Sequence, residues 1–255
     1  MKSVSANLLQ VIKELQTLKC LNGFSLGGGT SLAIRYNHRI SVDIDLFCSD
    51  IVGKAGFQAI AKEIAEYYAG DFFGSDFPCD IDDQYVFLRF FIRKNSEVIK
   101  VEVLQNFKML YQPDIVSGIR LLTVKDIGLL KLMSVSNRAS NKDVYDLEYL
   151  TDEVSLINLY ELLKQKENSF NRETDRTIFG LDNEESPINN PTLLLKFDRG
   201  ALAQNQSRPQ HSHDRIMVVD HGKPWQSARV GWRRKVRQLY SHLGIEFPGV
   251  MGFDI

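Results

Sequence analysis

Residues 26–47 read LGGGTSLAIRYNHRISVDIDLF, and this stretch decides the fold. A short apolar run, Phe24 to Leu26, enters the breaker cluster Gly27-Gly28-Gly29-Thr30, and Ser31 to Tyr36 then has helical character. Ser41 to Phe47 alternates polar and apolar residues, the pattern of a half-buried strand. Residues two apart on a strand share a face, so Asp43 and Asp45 are expected to aim together while Ile44 and Leu46 face the other way. Two carboxylates held side by side repel each other unless a cation lies between them. Hard oxygen donors in this arrangement suit Mg²⁺, which takes one or two carboxylates and fills its remaining positions with water and substrate phosphate. The glycine turn supplies the complement, because N–H groups at a helix N-terminus attract an anion and glycine allows a phosphate to come close. Gly28, Gly29 and Thr30, with Arg39 and Ser41 flanking the acids, are therefore candidate nucleotide-binding residues. No Gly-Lys-Ser/Thr follows the glycines, which excludes a P-loop, and no second glycine spacing completes a dinucleotide fingerprint.

Outward from this stretch, Leu8, Leu9, Ile12, Leu15 and Leu18 recur at helical spacing, predicting a helix over 4–20. Phe57 to Tyr68 predicts another. Tyr85–Arg93 and Val98–Leu104 read as strands, the second rich in valine. On that second strand Ile99, Val101 and Val103 form the natural core face, and Val98, Lys100, Glu102 and Leu104 share the other. If it neighbours the Asp43/Asp45 strand, Glu102 can complete an acidic trio for metal or act as a base. The bland alternative is an exposed Lys/Glu face. Thr123 and Asp126 resemble a capping box that opens a helix over 125–138. Helices over 142–150, 155–166 and 226–243 follow, with polar loops at 180–191 and 203–224. The strands thus cluster in the first 110 residues and the helices after them, an α+β arrangement.

Composition narrows the class. The chain has 255 residues, 44% hydrophobic and 25% charged, so it can bury roughly 70–75% of its extended surface, and neither disorder nor a fibrous repeat fits. A net charge of −1 excludes a uniformly basic nucleic-acid coat, though not a local patch. Cys20, Cys48 and Cys79 are an odd, scattered set, which points to a reducing compartment and away from a disulfide framework or a zinc site. No apolar run approaches the ~20 residues that span a bilayer. Lys13, Glu14 and Lys19 interrupt the first apolar positions, so they do not read as a signal peptide. A cytoplasmic protein without a membrane partner is the expectation.

The runs GGTSLA and HRISVDIDLF resemble the active-site signature of nucleotidyltransferases with a DNA polymerase β-like core. In particular they are similar to the AbiEii-type toxins of abortive-infection systems and their mycobacterial MenT relatives. That family follows its Gly-Gly-Thr turn and Ser-x-Asp-x-Asp strand with a helical lysine and a Lys/Arg-Asp-x-x-Asp-Leu segment. Here Lys131 stands in DIGLLK, Arg138 is seven residues on, and Asp143 and Asp146 stand in KDVYDL. Over residues 20–165 the resemblance implies a mixed-sheet core at 1–122 and a mainly helical domain at 123–255 that completes the active site. It implies that Asp43, Asp45, Lys131 and Asp146 are catalytic and that Asp43, Asp45 and Glu102 hold Mg²⁺, as one ion or two. Arg138 and Asp143 join the nucleotide-binding set. The implied reaction moves NMP from an NTP to an RNA hydroxyl, with the tRNA 3′ end as the guess, by a toxin with a cognate antitoxin. A small-molecule nucleotidyltransferase of the antibiotic-modifying kind uses the same parts. A non-catalytic nucleotide- or RNA-binding relative is the other alternative. Fixed cations such as Lys131 and Arg138 suit the charge that builds on departing phosphates.

The last third carries less. Arg229, Arg233, Arg234, Lys235 and Arg237 surround Trp232, a pattern that suits an RNA backbone or a solvated face with the tryptophan in the core. His211 and His213 lack partners at metal-ligand spacing, and His38 is expected to be exposed or near phosphate.

Overall fold

Ile99, Val101 and Val103 are all but fully buried, and each such side chain contributes roughly 1.5–3 kcal/mol on burial. That apolar face makes β5 (Glu97–Leu104) an interior strand. The computed structural model describes residues 2–79, 84–138, 140–182, 184–199 and 215–249. His211 and His213 lie outside them, as does much of the predicted loop over 203–224.

The chain divides into two compact units, one formed by Met1–Ile127, Lys166–Glu184 and Met217–Gly222, the other by Gly128–Gln165, Glu185–Ile216 and Lys223–Ile255. The first unit therefore takes two segments from beyond the last strand. Asn106 Nδ2 donates to the carbonyls of Thr174 and Arg176, and Ile40 N–H donates to the Met217 carbonyl, which explains why those segments belong with it.

The first unit is built on a sheet of β1 (Ser25–Leu26), β2 (Ile44–Phe47), β3 (Phe72–Asp76), β4 (Leu88–Lys94), β5, β6 (Asp114–Val116) and β7 (Ile119–Leu121). Their spatial order is β3-β4-β5-β2-β1-β7-β6. The β2–β5 and β1–β7 pairs are parallel and the others antiparallel, so the sheet is mixed. Two helices pack their apolar faces into its core: α1 (Ala6–Leu15) through Leu8, Val11, Ile12 and Leu15, and α3 (Gly53–Tyr68) through Phe57, Ile60 and Ile64. The helix α2 (Gly28–Tyr36) runs between β1 and β2 in sequence.

Several elements differ from expectation for local reasons. Helix α1 stops at Leu15, not at 20, where the Thr17 hydroxyl donates to the Glu14 carbonyl. Helix α2 begins inside the glycine cluster. Strand β2 begins only at Ile44, because the backbone before it bonds elsewhere: Ser41 N–H donates to Ser3 and the Asp43 carbonyl accepts from Thr30. Four strands, β1, β3, β6 and β7, were not read as strands from the sequence. Of these, β6 and β7 form a hairpin whose two turn residues, Ser117 (φ 53°) and Gly118 (φ 76°), have the mirror-image turn geometry that favours tight hairpins.

The second unit is helical, holding most of α4 (Val124–Arg138) and α6 (Leu156–Ser169), with α5 (Asn141–Glu153) and α7 (Trp225–Leu243). The predicted loop at 180–191 is flanked by short 3₁₀ segments at Ile178–Asp182 and Pro191–Arg199. Among the described residues no helix is long and apolar enough to cross a membrane.

Candidate active site

The glycine turn and the acidic strand are built as one piece. Gly28 opens α2 with φ +60°, a conformation that glycine adopts without cost. A Cβ there would collide with Oδ2 of Asp45, and one on Gly29 would collide with the Arg39 guanidinium and crowd Ser41 Oγ. The Gly27 N–H donates to the Asp45 carbonyl at 2.8 Å. The first N–H groups of α2 have no partners within the helix by its geometry, so this turn carries both the anion-attracting end of a helix and a carboxylate. Buried Thr30 donates to the Asp43 carbonyl and lies 2.8 Å from Ser41 Oγ. It fastens the turn to the acidic segment. Arg39 is also buried, its guanidinium against Gly29 and its backbone bridged to Val218.

Asp43 stands just ahead of β2 and Asp45 within it. Both are half-buried while Ile44 and Leu46 are fully buried. Asp45 and Glu102 are register partners across the parallel β2–β5 pair. Glu102 is not on an exposed face. It is buried, with Arg89 donating from Nε at 2.8 Å and placing Nη2 at 2.6 Å. Lys100 Nζ lies 3.5 Å from Glu102 and 3.9 Å from Asp43. The expected acidic trio is therefore not assembled: among the described residues no group of three or more His, Cys, Asp or Glu is gathered as a metal cluster. The reason is that Glu102 already has two cationic partners. Asp43 and Asp45 do fit Mg²⁺. They are oxygen donors, the Asp43 side chain is 46% exposed, and the Gly28 cradle fixes the Asp45 carboxylate.

In the second unit, Lys131 Nζ lies 2.6 Å from Asp143 and 2.7 Å from Asp146, and Arg138 reaches Asp143 at 3.2 Å. Asp146 is fully buried and Asp143 and Lys131 nearly so. Burial pushes the Asp143 carboxyl up, but Arg138 and Lys131 beside it outweigh burial and hold it below the usual carboxylate range. Arg138 also donates to Ser134 Oγ and keeps about a quarter of its side chain exposed.

The basic run on α7 divides. Trp232 is fully buried and its indole donates to the Leu194 carbonyl at 2.9 Å. Lys235 turns inward to Glu148 and Asp152 of α5. Arg229, Arg234 and Arg237 are exposed, Arg237 stacking on Phe247. His38 is buried beside Tyr36, where a residue exposed or near phosphate was expected. The sequence also missed Arg89 and Lys100 as residues of the site. Lys100 stands two positions before Glu102, a spacing that on a strand signals a shared face.

A mixed sheet with a glycine turn locked to an acidic strand defines a nucleotidyltransferase-type core. Comparison with known proteins agrees. The family model described as "Nucleotidyl transferase AbiEii toxin, Type IV TA system" matches residues 13–234, and the chain belongs to this family of toxin nucleotidyltransferases. An uncharacterized protein of Aquifex aeolicus (strain VF5) is 28% identical over 150 residues, covering 59% of this chain and 68% of the relative. The fold is similar to that of MenT4, a nucleotidyltransferase toxin from Mycobacterium tuberculosis H37Rv. That similarity has a TM-score of 0.55 at 16% identity and covers 94% of this chain and 83% of the other.

Proposed function

We propose that this protein transfers a nucleoside monophosphate from an NTP to a hydroxyl of RNA, with the 3′ end of tRNA as the preferred acceptor. The observation that supports it best is the contact between Gly28 and Asp45, which makes the phosphate cradle and a metal-binding carboxylate a single rigid element. The acceptor oxygen attacks the α-phosphorus and forms a new P–O bond. The bond to the β-phosphate oxygen breaks, pyrophosphate leaves, and the hydroxyl proton is released. Mg²⁺, held by Asp43 and Asp45 when bound, supplies charge neutralisation at the phosphates. The N–H groups at the start of α2 bind phosphate oxygens, while Thr30, Arg39 and Ser41 hold the shape of the turn. Arg138 and Lys131 carry a phosphate role only by the family resemblance, and within their own unit Asp143 and Asp146 hold the lysine. The biological role is that of a cytoplasmic toxin acting in abortive infection and restrained by a cognate antitoxin.

The test is label transfer. The protein is incubated with total bacterial RNA, Mg²⁺ and each α-labelled NTP in turn, beside an Asp43→Ala control. Label on RNA from one NTP, lost in the control, is expected. Label on a small-molecule acceptor instead would replace RNA in this reading, and absence of both NTP binding and transfer would overturn it.

A further inference from the structure

Arg89, Glu102, Lys100 and Asp43 form a chain of alternating charge across β4, β5 and the residue ahead of β2. Each link is an ion pair: 2.6 Å from Arg89 to Glu102, 3.5 Å from Glu102 to Lys100, and 3.9 Å from Lys100 to Asp43. Exposure rises outward from Glu102 toward Asp43: Glu102 is covered, Lys100 is about one-fifth exposed, and Asp43 is nearly half exposed, while Arg89 on the other side of Glu102 is about one-fifth exposed. Glu102 is thus the covered member held from both sides, and the most exposed member is the carboxylate that a divalent cation would take. With Asp45 added, the five groups sum to one negative charge. Without the Lys100 ammonium they would sum to two.

We propose that Lys100 is a resident counter-cation of the acidic site, anchored by Glu102, whose ammonium opposes binding of a free divalent ion. Metal then binds well only together with the nucleotide, whose triphosphate brings the negative charge that a second cation needs. Like charges a few ångströms apart repel appreciably even where water screens them. The third carboxylate thereby acts as a positioning residue for Lys100, and not as a ligand. This inference rests on the metal-binding reading of Asp43 and Asp45 and adds an order of binding to it. By linkage, whatever nucleotide does for metal affinity, metal does for nucleotide affinity.

The experiment is a Mn²⁺ titration followed by electron paramagnetic resonance, with and without a non-hydrolysable NTP. It uses the full chain, Lys100→Met and Lys100→Arg, with Lys100→Gln as a second neutral variant should methionine impair folding by circular dichroism. The parent and Lys100→Arg should bind Mn²⁺ weakly alone and tightly with nucleotide. A neutral variant should bind Mn²⁺ alone roughly tenfold or more tightly, narrowing that gap by the same factor. Equal or weaker Mn²⁺ binding by a folded neutral variant would overturn the proposal while leaving the metal site intact. Tighter binding by Lys100→Arg would also overturn it, because charge would then not be the cause. If no form binds Mn²⁺ with or without nucleotide, the metal reading itself fails, and this inference with it.

Discussion

The two aspartate pairs of this chain have similar spellings and opposite surroundings. Asp43 stands just ahead of β2 and Asp45 within it, where alternation keeps both off the core face and half-buried. Asp143 and Asp146 lie in the first turns of α5, three residues apart, and are buried around a lysine supplied by α4. The first pair is half exposed, with Lys100 3.9 Å from Asp43, and the second encloses its lysine at 2.6 and 2.7 Å. The lesson is that acid spacing alone does not identify a metal site. The element that carries the acids, and how tightly they enclose a fixed cation, matters as much.

The largest test of this contrast is Asp45→Asn. Transfer activity is expected to fall by about a thousandfold or more, because the charge that holds the metal is lost. The melting temperature should move less than for Lys131→Met, since Asp45 is half-buried and asparagine keeps its shape. A large loss of stability would break the contrast. Lys131→Met should show the reverse emphasis. It takes the lysine from two buried carboxylates, of which Asp143 keeps Arg138, and urea unfolding should report a loss of about 3 kcal/mol. Gly28→Ala comes next. A methyl group there meets Asp45 in left-handed backbone, which costs about 1–2 kcal/mol and displaces the carboxylate, so activity and stability should fall together. Gly23→Ala, with open space around it, should change neither. The smallest effect is on pH. The folded-state Asp143 value lies below its unfolded value of about 3.9, so its contribution is complete above that value and is lost as pH falls through the folded one. Asp143→Asn should therefore flatten the dependence of the urea midpoint on pH below about pH 4.

Much of this was legible in the sequence where a pattern is local. The glycine cluster followed by Ser-x-Asp-x-Asp marks the turn and the acids because turn chemistry and strand alternation act over a few residues. Thr123 and Asp126 likewise cap α4, the Thr123 hydroxyl accepting the Asp126 N–H at 3.1 Å. What escaped depends on partners distant in sequence. Nothing near Glu102 announces that Arg89 will claim it, because that pairing follows from the β4–β5 register. The inward turn of Lys235 depends on Glu148 and Asp152, more than eighty residues earlier. Strands β6 and β7 were missed for brevity, although the Ser117-Gly118 pair between short apolar runs was a usable hairpin signal.

The placement of Trp232 has a spectroscopic consequence. The chain has two tryptophans, Trp225 and Trp232, and both belong to α7 in the helical unit. Indole emission therefore reports on that unit alone, with the shielded ring of Trp232 shifting to the red as the helices open. Tyrosines and backbone ellipticity report on both units. Following the two signals through one denaturation would reveal whether the sheet and the helices melt as a single cooperative body or one after the other.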